Sequence, residues 1–490
     1  MSDESPGESS AEPSAEKTPL PRPRLSDEGR WYAEHTALLI STSKWALLGA
    51  VAGVCVGLGT RGFLAALAYS TAATGRLRVG PFGAWALLPL ALPLAVWLVR
   101  RFAPDARGHG TEAVIAAVHT RSGRIDWQVA PIKLIATVIT LAFGGSVGKE
   151  GPCAQIGAAI TSFFADRLRL NDEDRRRLVI CGIGAGFASV FGTPISGALF
   201  GIEVLALGRI EYPVLFPCLV AGIVGHLVCG VPPPIPTVHE SLGALGQTTL
   251  VGLSLLFGIA FGLMALILIE SMRGIEKLIR RFGPHPYWTA AAGGLILAVF
   301  YSVAGGRYAG LGTDTIGEAL NGVAQFTLAA FLLKIFTTSV TLETGGSGGI
   351  VTPLFFIGAS GGAALAHAAG LPVGAFAAFG FVAVLAAAAN TPIAAAVMGI
   401  ELLPTEVSVY AALCAATAFL IVGHRSVYAS QKLGFSKSAG LEMTLETTIG
   451  DVRRGSMRVR PGSLTERALR AGDALRDRAR RPGKKPPPTS

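Results

Sequence analysis

The chain has 490 residues, of which 51% are hydrophobic and only 15% charged, whereas soluble domains carry roughly 25% charged residues. A soluble globular domain is therefore excluded, and the 62 glycines and 29 prolines argue against a plain bundle of full membrane spans. The net charge of +10 owes much to the C-terminal end; no nucleic-acid-binding module accompanies it, so nucleic acid is not an expected partner.

Residues 1–30 are polar and rich in Ser, Pro and Glu. They lack the apolar core of a signal peptide and are expected to be a disordered cytosolic leader. Apolar segments then follow. Trp85–Val99 carries no charge, and GHGTEAVIAAVH (108–119) is a Gly-rich entry into an apolar helix. KEGPCAQIGAAITSFF (149–164) is another, with Pro152 in its first turn, where a missing N–H costs nothing because helix-opening N–H groups have no intrahelical partner. Val251–Ile269 is charge-free over about the length that crosses a hydrocarbon core. GIVTPLFFIGASGGAAL (349–365) repeats the Gly-rich entry with Pro353. After the charge-free Val409–Gly423, HRSVYASQ (424–431) is expected to open a fourth such helix. From Arg453 onward the chain is basic and reads as a solvated cytosolic tail, with anionic-lipid contact left open.

The six cysteines lie singly, without CxxC, and the eight histidines show no HExxH. No metal site is expected, and the cysteines read as small hydrophobes. A membrane enzyme using Glu150 and His109 as an acid–base pair finds no nucleophile motif to support it.

The chain repeats itself. GSVGKEGP (145–152) aligns with GSGGIVTP (346–353), and KLIATVIT (133–140) with KIFTTSVT (334–341), both at an offset of 201. GTEAVIAAV (110–118) echoes GTDTIGEAL (312–320), and TPISGALFGIEVL (193–205) echoes TPIAAAVMGIELL (391–403). This predicts a first membrane repeat over 31–230, a second over 245–440, and a tail over 441–490. Duplication with Gly- or Pro-interrupted segments at matching places points to a midplane binding site between the repeats.

The free N–H groups and dipole of a helix entry favour an anion. Half a charge about 4 Å from an anion gives roughly 2 kcal/mol at an effective dielectric near 20. Three or four such ends offset part of the dehydration cost, yet none holds the ion by a full charge, which suits conduction. A phosphate loop fails, since position 143 is Phe and Glu150 follows GK. Close helix packing remains the structural reading of the glycines.

GKEGP, the paired TP…GIE segments and GGIVTP, in this order over about residues 35–440, resemble the CLC family of chloride channels and chloride/proton exchangers. The resemblance implies an all-α polytopic fold of two inverted halves of short, tilted, broken helices, in a homodimer with one ion pathway per subunit. It implies chloride or a similar monovalent anion as the cargo, bound chloride and no other cofactor, and a multi-pass protein of the plasma membrane with both termini cytosolic. Glu150 matches the gating glutamate, a carboxylate that competes with the anion and swings out when protonated. The implied anion-binding set is His109, Gly110, Lys149, Glu150, Gly151, Ile350, Val351 and Tyr428. Against that reading, Glu150 in a salt bridge to Lys149 or Lys133, and Tyr428 as an interfacial-belt residue, remain open.

Three departures from the family pattern stand out. Val351 replaces the usual Phe. GHGTE replaces GSGIP, so His109 stands at the serine position and is expected to confer pH sensitivity, unless it turns aside to a carbonyl. Val204 replaces the second of two successive glutamates that proton-coupled members carry; Glu203 is the first, with a proton-path role and a structural role both open. Glu401 at the equivalent place is expected to cap helix N–H groups. The expected mode is channel-like or weakly proton-coupled passage, with a chloride/proton exchanger as the alternative. A fluoride exporter is set aside on the GHGTE region. The short tail is expected to lack CBS nucleotide-sensing motifs.

Overall fold

No proline occurs between Pro23 and Pro81, and α1 (Asp27–Gly75) runs unbroken through 49 residues. The computed structural model describes residues 27–77, 79–80, 82–231, 242, 245–283, 285–323, 326–452 and 457–480. Most of the expected leader, residues 1–26, lies outside them, while its last residues, 27–30, are helical rather than disordered. The chain divides into compact units 1–45 and 46–490. The described part of the first unit is helix alone.

In the second unit α1 continues and is followed by α2 (Leu88–Phe102), α3 (Thr111–Thr120), α4 (Val129–Ala142), α5 (Glu150–Arg167), α6 (Asp172–Phe191), α7 (Pro194–Glu203) and α8 (Tyr212–Cys229). The series then recurs as α9 (Gln247–Phe282), α10 (Pro286–Ala304), α11 (Thr313–Leu320), α12 (Ala329–Glu343), α13 (Val351–Ala368), α14 (Val373–Ala389), α15 (Pro392–Leu402) and α16 (Thr405–Ile421). Each aligned sequence pair falls on a pair of matching helices. Among the described residues six helices are long and apolar enough to cross a membrane. Several others, such as α4 and α15, are too short, which is the broken-helix pattern. The 36-residue α9 and the longer α1 depart from the expectation of short helices throughout.

The same small-residue contacts hold both halves. A Cβ on Gly157 of α5 would come 2.2 Å from the Gly182 carbonyl of α6, and one on Gly358 of α13 would come 2.0 Å from the Gly380 carbonyl of α14. Backbones pack this closely only where no side chain intervenes. Every residue of α14 is buried. Phe191 of α6 meets Phe355 of α13 edge to face at 5.2 Å, joining the halves through their cores. Outward-facing Leu90, Leu227, Leu256, Ile296 and Val303 are exposed. An apolar surface of this kind matches lipid, and the chain is a multi-pass integral membrane protein.

Beyond α16 the chain folds back. β1 (Ala206–Leu207), just after α7, pairs in parallel with β2 (Lys432–Leu433). β3 (Leu441–Glu442) pairs antiparallel with β4 (Arg458–Val459), with α17 (Ile449–Val452) between them and α18 (Leu464–Arg480) after them. The described part of the basic tail is thus ordered secondary structure rather than a merely solvated segment. Ser463 and Glu466 explain the start of α18: Ser463 Oγ caps the helix by accepting from Glu466 N at 3.1 Å, and the Glu466 carboxylate accepts from the N–H of Gly462, one residue before the cap, at 2.6 Å. Residues 453–456 and 481–490 lie outside the described set.

Candidate functional site

The two Gly-rich loops that end α4 and α12 meet. Gly148 and Gly349 exchange backbone bonds, Gly148 N to Gly349 O at 2.6 Å and Gly349 N to Gly148 O at 2.7 Å. Hydroxyls reinforce the junction in matched pairs. Ser146 N donates to Thr341 Oγ1 and Ser347 N to Thr140 Oγ1, both at 3.1 Å. The helix entries that follow are therefore held against one another by bonds from both repeats.

At α5 the first intrahelical bond is Cys153 N to Lys149 O, and at α13 it is Leu354 N to Ile350 O, both at 3.1 Å. The N–H groups of Glu150, Gly151, Ile350 and Val351 precede them, and such groups seek partners outside the helix. The entry to α3 closes on the same place. A Cβ on Gly151 would lie 2.2 Å from the His109 carbonyl and 3.0 Å from Gly349 Cα. Gly110 has φ 83, and a Cβ there would lie 2.5 Å from the Gly151 carbonyl. Three helix entries from both repeats thus touch at Gly151, which only a residue without a side chain permits.

The fourth expected entry is different. Residues 422–431 form no helix. Tyr428 is placed instead by loop bonds: Val427 N to Ala388 O at 2.9 Å and Tyr428 N to Ser426 Oγ at 3.0 Å. Its fully buried ring still reaches the site, with Thr111, Glu112 and Glu150 as neighbours. Its hydroxyl, Thr111 Oγ1 and His109 Nδ1 are buried without a protein partner. Polar atoms left unpaired in a buried place mark where a ligand or water bonds.

Glu150 sits across this junction. One carboxylate oxygen accepts from Thr352 N at 3.1 Å and the other from the Thr352 hydroxyl at 2.5 Å. A carboxylate thereby occupies the positive end of α13, where an anion is favoured. No ion pair to Lys149 or Lys133 forms among the described residues. Lys133 Nζ instead donates to the carbonyls of Ala106 and Gly108, at 3.1 and 2.7 Å. Lys334, its counterpart, donates to Tyr308 and Gly310. On one side of Glu150 lies a cavity of about 10 Å³ lined by Lys149, Phe191, Thr313 and Phe355. A larger one, of about 450 Å³, is lined by Gly108, Glu343 and Ser347 among others.

Residues 91–423 match the family model described as voltage gated chloride channel. This chain is a CLC protein. Its family is one of anion channels and transporters. It is 37% identical over 415 residues to a "Chloride/fluoride channel protein" of Pseudomonas syringae pv. tomato, covering 82% of this chain and 90% of that protein. It is 30% identical to the "H(+)/Cl(-) exchange transporter ClcA" of Cronobacter sakazakii, covering 73% of this chain and 81% of that one. Among solved structures, a CLC-type fluoride/proton antiporter superposes with a TM-score of 0.73 at 27% identity, over 80% of this chain and 98% of that one. A slow cyanobacterial Cl-/H+ antiporter shares the fold, with a TM-score of 0.67 at 22% identity over 77% of this chain and 94% of that one.

The remaining singled-out residues of this CLC protein fall into two groups. Glu203 and Glu401 cap each other's helices. Glu203 accepts from Ile393 N and Ala394 N of α15 at 3.0 and 2.7 Å. Glu401 accepts from Ile195 N and Ser196 N of α7 at 2.9 and 2.8 Å. His109 turns toward α12 rather than to a carbonyl, with Nε2 4.0 Å from Glu343 Oε1. Sequence reasoning passed over Thr352, Glu343 and Glu112. The first was visible as the Thr of GGIVTP and the last as the final residue of GHGTE, but partners 202 and 318 residues away gave no local sign.

Proposed function

We propose that this CLC protein passes chloride or a similar monovalent anion through a pathway in each subunit of a homodimer, gated by Glu150 and channel-like or weakly proton-coupled. The observation that carries this reading is the Glu150 carboxylate on the N-terminus of α13, bonded to Thr352. An ionised carboxylate there competes with the anion for the same N–H groups. Protonation removes its charge and frees the seat. Lys149, Gly110, Gly151, Ile350, Val351 and Tyr428 surround the path, and Glu343, which His109 faces, lines the wider cavity. Fluoride, set aside on sequence, returns beside chloride, because relatives over most of the chain carry fluoride in their names. The plasma membrane and cytosolic termini belong to the same reading, as do repeats over 31–230 and 245–440.

A second reading, obligatory exchange of halide for protons, is favoured by one observation: a second buried carboxylate, Glu112 of α3, bonded to Ser430 through one oxygen and with no protein partner on the other. The test is purified protein in liposomes, with halide efflux and proton movement recorded together. Halide efflux that rises on acidification, with Glu150→Gln fast and indifferent to pH, supports the gate. A Glu150→Gln variant that keeps the wild-type pH response removes it. Proton uptake against its own gradient, driven by halide, decides for exchange.

A further inference from the structure

Asn390 ends α14 in the left-handed region, with φ 55, a conformation that asparagine adopts more readily than most residues with a side chain. Its amide bonds in two directions. The nitrogen, Nδ2, donates to the Arg425 carbonyl at 3.0 Å and to Gln431 Oε1 at 3.3 Å. The oxygen, Oδ1, accepts from Lys437 Nζ at 2.7 Å. The same Nζ donates to the Phe419 carbonyl at 2.6 Å, in the last turn of α16, where carbonyls lack intrahelical partners. Lys437 is itself seated by its backbone N–H, which donates to His424 Nε2 at 2.9 Å. One side chain from the segment beyond α16 thus closes the ends of two helices.

The loop bonded to this amide is the one that carries Tyr428. Arg425 is held by Asn390, Ser426 Oγ donates to the Ala388 carbonyl at 3.3 Å, and Val427 N donates to the same carbonyl. On the other side of Tyr428, Gln431 Nε2 donates to the Ala389 carbonyl at 2.7 Å. Ala388, Ala389 and Asn390 are therefore the frame on which Tyr428 hangs. The part played by Asn390 depends on which way round its amide stands. An amide has an acceptor at one end and donors at the other, whereas a lysine has donors only. Lys437 keeps the oxygen on its own side and leaves the N–H groups for Arg425 and Gln431. Without Lys437 the oxygen loses its donor, and a turned amide would set oxygen against oxygen at Arg425. The Tyr428 hydroxyl, buried with no protein partner, is aimed only by the frame behind it.

We propose that Lys437 is a positioning residue of the anion site: by orienting the Asn390 amide it fixes the loop that aims the Tyr428 hydroxyl, so the segment beyond α16 sets halide affinity. This rests on the reading of Tyr428 as a residue of the anion path. Lys437 acts through Asn390 and the loop, not by contact with the anion.

The test measures halide affinity by isothermal titration of the purified full-length protein, in a cycle of Lys437→Met and Tyr428→Phe. Tyr428→Phe lowers affinity about fivefold, the weight of one hydrogen bond. Lys437→Met keeps the length of the side chain without its donors and lowers affinity about threefold, because a loosened hydroxyl keeps part of its bond. In the Tyr428→Phe protein the same change lowers it no further. Lys437→Arg still donates and keeps most of the affinity. Asn390→Asp is the second variant. It accepts from Lys437 but has no donor for the Arg425 carbonyl, so it loses about threefold alone and nothing beside Tyr428→Phe, whatever either change does to Tm. Lys437→Met with wild-type affinity overturns the proposal. So does an equal loss with and without the Tyr428 hydroxyl, which is what a merely structural role gives. Tyr428→Phe with wild-type affinity overturns the reading of Tyr428, and the proposal with it.

Discussion

Gly151→Ala probes the convergence of the helix entries most directly. The added methyl would stand 2.2 Å from the His109 carbonyl and 3.0 Å from Gly349 Cα, short of ordinary contact with the carbonyl by about 1 Å. Both neighbours are backbone, pinned by the Gly148–Gly349 bonds and the φ 83 turn at Gly110. The entries to α3 and α13 must therefore move apart. Overpacking of this kind costs about 1–3 kcal/mol of stability. Moving a helix end from about 4 to about 5 Å from an anion weakens its half-charge attraction by about 0.4 kcal/mol at a dielectric near 20. Two displaced ends give about 0.8 kcal/mol, or about a fourfold loss of halide affinity. Isothermal titration with chloride and fluoride on purified protein, with thermal unfolding in parallel, reads both effects. Gly62→Ala is the control, because its added methyl meets nothing within 4 Å. A Gly151→Ala protein with unaltered halide affinity and Tm would refute the idea that these entries form one seat.

Other outcomes follow from single contacts. Thr352→Val removes the hydroxyl bond to Glu150 and loosens the carboxylate by about 1 kcal/mol, so basal halide efflux at neutral pH rises about fivefold; unchanged efflux counts against the seat. Glu203→Ala and Glu401→Ala each strand two helix N–H groups and each lower stability by about 1–3 kcal/mol, read as a fall in Tm, with Gln variants in between. His109→Ser removes the ring that faces Glu343 and alters the dependence of halide flux on pH; a retained profile places the sensor elsewhere. On α18, the Gly462 N–H and Arg470 hold Glu466 below the usual carboxylate range. Its contribution is present above the ordinary glutamate range and fades as pH falls through its lowered value, so protection factors of amides at the α18 N-terminus, with intrinsic exchange rates divided out, fall on acidification.

How much of this was legible depended on whether the signal was local. The Gly-rich entries at residues 108–110, 144–151 and 345–351 announced themselves, because glycine and proline at a helix start have few other uses, and repetition at a fixed offset paired them. The symmetry of Glu203 and Glu401 likewise foretold a shared role, and each does cap a helix, although the cap crosses to the other repeat. Lys133 and Lys334 sat in aligned segments and carried the same information unused. The loop around Tyr428 was misjudged as a helix entry, since its conformation is set by Ala388 and Ser426 rather than by its own propensity. Thr352 and Glu112 stayed hidden because a hydroxyl and a carboxylate acquire their meaning only from what tertiary structure sets opposite them. In the tail, the capping pair Ser463 and Glu466 was readable, but the basic charge drew attention away from it.

The crossed glutamates and the reciprocal Ser–Thr bonds mean that neither repeat is self-sufficient. Each supplies the stoppers and latches for its twin, so a fragment cut between α8 and α9 would leave donors stranded in hydrocarbon on both pieces. A polypeptide of half the length could still close every one of these bonds by embracing an upside-down copy of itself. Inserting one half without the other is thus a chemically unfinished act, and assembly in the bilayer has to wait for the second half to emerge before the first can settle.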